Sequence, residues 1–212
     1  MKIGFNVDIE SIGVTMRILM IVGWLFVGLG GAIFHYGPGQ EHLEIDRVDH
    51  LLDQARASVS SEDWAKATEL FDEVLADLPS EKVAESRSVL LEKAKCQMMS
   101  AKLPEARQSL QSLLDDIRKD ENSDRSFVAE VQSALANAQY YTTWLMRLEG
   151  LPEEEWKPEI EAARQHYTQL TLDAEAAGDQ ELLKRSAEDL ESSVRLARMD
   201  LAELQGLPLP SQ

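Results

Sequence analysis

The sequence contains a single cysteine, Cys96, so no intramolecular disulfide can form. Cys96 is flanked by Lys95 and Met98–Met99, with no histidine close by, and reads as an inert packed thiol rather than a nucleophile. Aromatic residues are scarce at 6%, whereas Ala, Leu, Glu, Gln, Lys and Arg recur throughout, a mix that favours helices. Basic charge is short as well: 21 Lys and Arg face 38 Asp and Glu, for a net charge of -17. Residues 1–36 carry only Lys2, Arg17, Asp8 and Glu10, so this excess of acid belongs to the rest of the chain. Such a surface repels nucleic acid, which is bound by neutralising phosphates, and favours basic or apolar partners. The sequence also lacks a glycine-rich phosphate loop, a nucleophile elbow and a Cys-His pair at useful spacing. No catalytic constellation, cofactor or small-molecule substrate is therefore expected.

With 212 residues, 44% of them hydrophobic and 28% charged, the chain is long and apolar enough for one membrane segment and one domain with a core. Ile18 to Phe34 carries no charge and would make roughly 25 Å of helix at about 1.5 Å per residue. Adding Tyr36 and the apolar lead-in Ile12–Met16 brings it to bilayer length, and Phe34 and Tyr36 could form an interfacial belt. A signal peptide would need a short apolar run and a small-x-small cleavage site. Gly30 and Ala32 could supply that site, but the run continues through Ile33 and Phe34, and the leader contains Asp8 and Glu10. The reading is an uncleaved anchor over 18–36 behind a leader of 1–17. Met16-Arg17, directly before the run, is a possible alternative start. Lys2 and Arg17 precede the span and no Lys or Arg follows it before Arg47. This bias places the N-terminus in the cytoplasm and the C-terminal domain outside it, in the periplasm if the source is bacterial.

Gly37-Pro38-Gly39 suggests a break and a linker over 37–46. From 47 to 205 the periodicity is helical. Leu51, Leu52, Ala55 and Val59 share one stripe, and Ala67, Leu70, Phe71, Val74, Leu75 and Leu78 another. Ser61 is placed to cap the second helix and Pro79 to close it. A long helix over Phe127–Leu148 has a stripe of Ala134, Ala138, Tyr141, Trp144 and Leu145, and ends at Gly150 and Pro152. The next helix runs to Ala177 before Gly178-Asp179, and a final helix is expected from Gln180 to Leu204, ahead of a Pro-containing tail, 206–212.

The stretch Asp63-Trp64-Ala65-Lys66-Ala67-Thr68-Glu69-Leu70-Phe71, followed by Pro79, resembles the second helix of a tetratricopeptide repeat. Trp64, Ala67, Phe71 and Pro79 occupy its aromatic, small, large apolar and terminating positions. Leu51 and Ala55 match the first helix, with Ser58 in place of the usual Tyr. A weaker unit follows in Leu90, Ala94, Leu103, Ala106, Leu110 and Leu113, where Arg118 stands in place of Pro and the spacing exceeds the family's repeat. Beyond residue 127 only the architecture is similar. The resemblance implies an all-α fold of antiparallel hairpins, an α-solenoid, whose first helices line a groove for a partner protein. The matching positions are Leu52, Arg56, Leu91, Lys95 and Met98.

Two other clusters stand out. His42, Asp46 and His50 recur every four residues, a spacing that can bind zinc, but they read as a solvated face and no metal is expected. Trp144, Arg147, Glu149, Trp156, Arg164 and Tyr167 crowd one hairpin and read as structural, with both tryptophans filling the crossing and Arg147 paired with an acid; the alternative is a recognition surface. The expected function is that of a membrane-anchored interaction scaffold. The alternative is an accessory subunit of a membrane complex, docked through its transmembrane helix, where Gly28 and Ala32 offer a packing face.

Overall fold

The computed structural model describes the backbone over residues 38–204 and the side chains over 46–204, residue 201 excepted. The proposed membrane span at 18–36 and the tail at 206–212 lie outside the described residues. No described helix is long and apolar enough to cross a membrane. The chain divides into two units, Met1–His50 and Leu51–Gln212. All interactions described below lie in the second.

Helices α1 (Pro38–Ser60), α2 (Trp64–Asp77), α3 (Val83–Met99), α4 (Leu103–Ile117), α5 (Arg125–Leu148), α6 (Glu153–Ala177), α7 (Gln180–Arg198) and the short α8 (Leu201–Leu204) follow one another, with no strand among the described residues. From α2 to α7 each helix packs on the next in sequence. α3 also touches α5, and α5 touches α7 and α8. Contacts of that extent join neither α2 to α4 nor α4 to α6. The odd-numbered helices therefore draw together on one side, an all-α arrangement compatible with a helical-repeat solenoid.

The helix ends follow from local chemistry and correct two expectations. The juxtamembrane segment is helical from Pro38, a residue tolerated in the first turn because that turn's N–H groups have no intrahelical partner. Ser61 does not cap α2. Glu62 takes a positive φ of 58° and its N–H bonds to the Val59 carbonyl, while the Asp63 N–H bonds to that of Ser58, closing α1. Asp63 then caps α2, accepting from the Lys66 N–H at 3.2 Å. The expected final helix breaks at Met199, which is extended (ψ 151°). Asp200 and Glu203 restart it as a capping box: the Glu203 N–H donates to Asp200 at 2.8 Å, and the Asp200 N–H to Glu203 at 3.0 Å. Between α6 and α7, Gly178 sits at φ +74° and Asp179 accepts from the Leu182 N–H, as the Gly-Asp pair led one to expect.

The core is built of buried small residues together with leucines and other large apolar side chains. Ala55, Ala67, Ala106, Ala136, Ala138 and Ala163 are fully buried. Leu91, Leu110, Leu114, Ile117, Val131 and Leu135 form one cluster across α3–α5. Ile160, Tyr167, Leu170 and Leu196 form another across α5–α7. Leu145 is 41% exposed and leaves the stripe assigned to it. Because Ala67 has no exposed surface, Ala67→Leu should destabilise the protein by about 1–3 kcal/mol through overpacking. An unchanged urea midpoint would show that the site tolerates the larger side chain.

Ion pairs tie helices together. Lys93 meets Asp72 (α3 to α2), Arg87 reaches Asp116 and Asp120, and Arg107 grips Glu159 through both carboxylate oxygens at 2.5 and 2.7 Å, linking α4 to α6. Arg107 and Glu159 are partly buried, and their fork geometry fixes orientation better than a single contact would.

Candidate interaction groove

On the side of the odd helices lies a trough of about 450 Å³. Its lining comes from α1 (Val59), the start of α2 (Trp64), α3 (Glu92, Lys95, Cys96, Met98, Met99), α5 (Glu130, Ser133, Ala134, Asn137, Tyr141) and α7 (Arg185, Asp189). A second hollow of about 560 Å³ shares Val59 and Glu92 with it and adds Leu52, Arg56, Phe71, Glu85 and Val89. The two hollows adjoin along these shared residues. The odd helices supply most of this surface because they lie close enough together for their outward faces to form one wall.

The structure places four of the five residues expected at a binding surface along this trough. Leu52 and Arg56 line the second hollow, and Lys95 and Met98 the trough itself. Leu91 is elsewhere: at 2% exposure it belongs to the core with Leu110 and Leu114, and offers no surface to a partner. The reason is that its neighbours cover it: Leu91 belongs to the buried cluster that Leu110 and Leu114 of α4 and Leu135 of α5 complete. Sequence reasoning missed the contribution of α5 and α7. The signal was present in the alternation of helices, because every second helix of a solenoid shares a face, and Arg185 and Asp189 stand one turn apart on α7.

The trough is polar at its rim and apolar between. Lys95 donates to Glu92 at 2.8 Å and to Glu130 at 2.7 Å, so its charge is fully engaged. Burial pushes the Asp189 carboxyl above the usual carboxylate range, an effect that Arg185 opposes and Glu188 reinforces. Asn137 accepts from the Tyr167 hydroxyl at 2.7 Å. Burial raises the Cys96 thiol to about 11, with Glu92 acting in the same direction, so the thiol is protonated and unreactive at neutral pH.

The aromatic hairpin is structural, though not by the pairing expected. Among the described residues Arg147 meets no acid. It stacks on the Trp156 ring, 4.7 Å from the centroid, and donates to the carbonyls of Leu196 and Met199 at the end of α7. Tyr167 is 1% exposed, and Trp144 and Trp156 pack on its cluster. Arg164 pairs with Glu161 one turn earlier. The His166 imidazole is half-buried, and burial together with Arg118 holds it below its ordinary value. Its backbone carbonyl accepts from Gln132, whose own carbonyl accepts from Arg118 at 2.7 Å. Among the described residues no group of His, Cys, Asp and Glu could hold a metal ion; the His42 side chain lies outside them.

Comparison of the chain with family models, with curated proteins and with solved structures finds no match.

Proposed function

We propose that the protein is a membrane-anchored interaction scaffold whose tetratricopeptide-like helical domain holds an extended segment of a partner protein along the trough. The observation that carries this reading is the trough's construction: four successive odd-numbered helices, α1, α3, α5 and α7, line it and the hollow beside it, with both apolar and hydrogen-bonding groups. That is the surface on which helical repeats receive extended peptides. The uncharged run Ile18–Phe34 supports the anchor, and Lys2 and Arg17 before it support a domain facing away from the cytoplasm. No enzymatic step belongs to this reading.

The test is capture of the full-length chain from native membranes, identification of the protein that accompanies it, and repetition with Ser133→Arg. Ser133 lies on the trough wall in α5 and is only partly buried, so the longer side chain can enter the trough without disturbing the core. The expected result is at least a roughly tenfold loss of partner capture with unchanged helix content, since hot-spot interfaces tolerate a bulky intrusion poorly. Undiminished capture by Ser133→Arg would exclude the trough as the binding surface.

A further inference from the structure

We propose that the trough receives a basic, extended peptide segment and that the Asp189 carboxylate anchors one of its lysine or arginine side chains. The inference rests on the groove reading above and adds the chemistry of the occupant.

Among the described residues, the Asp189 carboxylate accepts no hydrogen bond and enters no ion pair, although it is half-buried in the trough. A carboxylate that gives up part of its hydration without a partner is costly, and a cation from outside would supply the missing interaction. The trough's own cations supply it only in part, Arg185 acting on Asp189 without a direct contact. Lys95 is held between Glu92 and Glu130, which together outweigh its charge. Arg185 is exposed, one turn before Asp189 on the same helix, and no ion pair joins the two. Asn137 commits its carbonyl oxygen to the Tyr167 hydroxyl, which leaves its amide NH2 to donate to a peptide carbonyl. Trp64 and Met98 offer apolar surface on which aliphatic side chains of the same segment can pack, methionine adapting to more than one shape. The net charge of -17 draws a basic segment toward the domain and repels an acidic one.

The experiment uses the full-length chain in detergent micelles and two fluorescein-labelled nonapeptides. One is built of Leu, Ser and Lys; in the other every Lys is replaced by Glu. Fluorescence anisotropy should show binding of the lysine peptide and none of the glutamate peptide. Asp189→Asn should raise the Kd for the lysine peptide roughly tenfold, the loss expected for one partly desolvated charge pair. Glu69→Gln, an exposed acid of α2 outside the trough, should change it by less than about twofold, as surface charges do. Equal binding of both peptides, a wild-type Kd for Asp189→Asn, or equal losses for Asp189→Asn and Glu69→Gln would each overturn the anchor. If Ser133→Arg still abolishes partner capture, the groove stands: equal binding of both peptides then means that its occupant is not basic, and either Asp189→Asn result means that Asp189 is not its anchor. If Ser133→Arg has no effect either, the groove reading falls with the anchor.

Discussion

Leu135→Ala should cost about 2–5 kcal/mol of unfolding free energy, the range for emptying a buried leucine site whose walls cannot fully collapse. Leu135 has no exposed surface and belongs to the cluster that joins α3, α4 and α5. Its helix is the hub of the second unit, packing on α4 and α6 and touching α3, α7 and α8. The walls of the vacated site include Leu114 and Ile117, themselves fully buried and held by α4, so relaxation into the gap is limited. In an array whose members contact mainly their neighbours, weakening the hub should also broaden the transition, because the parts on either side of α5 become less tightly coupled. Urea denaturation followed by circular dichroism gives both readouts. A loss below about 1 kcal/mol would mean that the site repacks and that α5 is not the hub its contacts indicate.

Arg147→Met should destabilise by about 2–3 kcal/mol, through loss of charge-assisted hydrogen bonds and a cation–π contact. The guanidinium reaches the carbonyls of Leu196 and Met199, the C-terminal end of α7, where carbonyls run out of intrahelical donors. It also lies over Trp156 of α6, so one side chain from α5 fastens the ends of two other helices. Arg147→Lys should recover less than half of the loss, since an ammonium lacks the planar fork that serves both carbonyls and stacks on the ring. Amide hydrogen exchange should show the added opening confined to the end of α7 and to α8. Full rescue by lysine would reduce the role of Arg147 to its charge alone.

Several features were legible because they depend on near neighbours in the chain. The stripes over Leu51–Val59 and Ala67–Leu78, the left-handed Gly178 followed by its Asp179 cap, and the end of α2 before Pro79 all express backbone preferences that act within a turn or two. Where two local signals competed, the sequence reading chose wrongly. Ser61 and Asp63 are both good caps, and the positive φ of Glu62 decided for Asp63. Near the C-terminus the 3.6-residue pattern runs on through Met199, while the Asp200–Glu203 capping box stops and restarts the helix.

By itself the sequence determined that the chain is helical, where most of its turns fall, which small residues are buried, and that its surface is acidic. These are matters of composition, periodicity and charge, each set by residues close together in the chain. Only the tertiary structure decided which exposed residues share a surface. It sent Leu91 into the core and its neighbour Glu92 to the trough. It brought Asp189 into one wall with Lys95 and Trp64, far away in sequence, and gave Arg147 two carbonyls and a tryptophan ring instead of a carboxylate. The physical reason is that a helix's pattern fixes which of its faces is buried, whereas the partner of each face depends on the angle and phase at which whole helices pack.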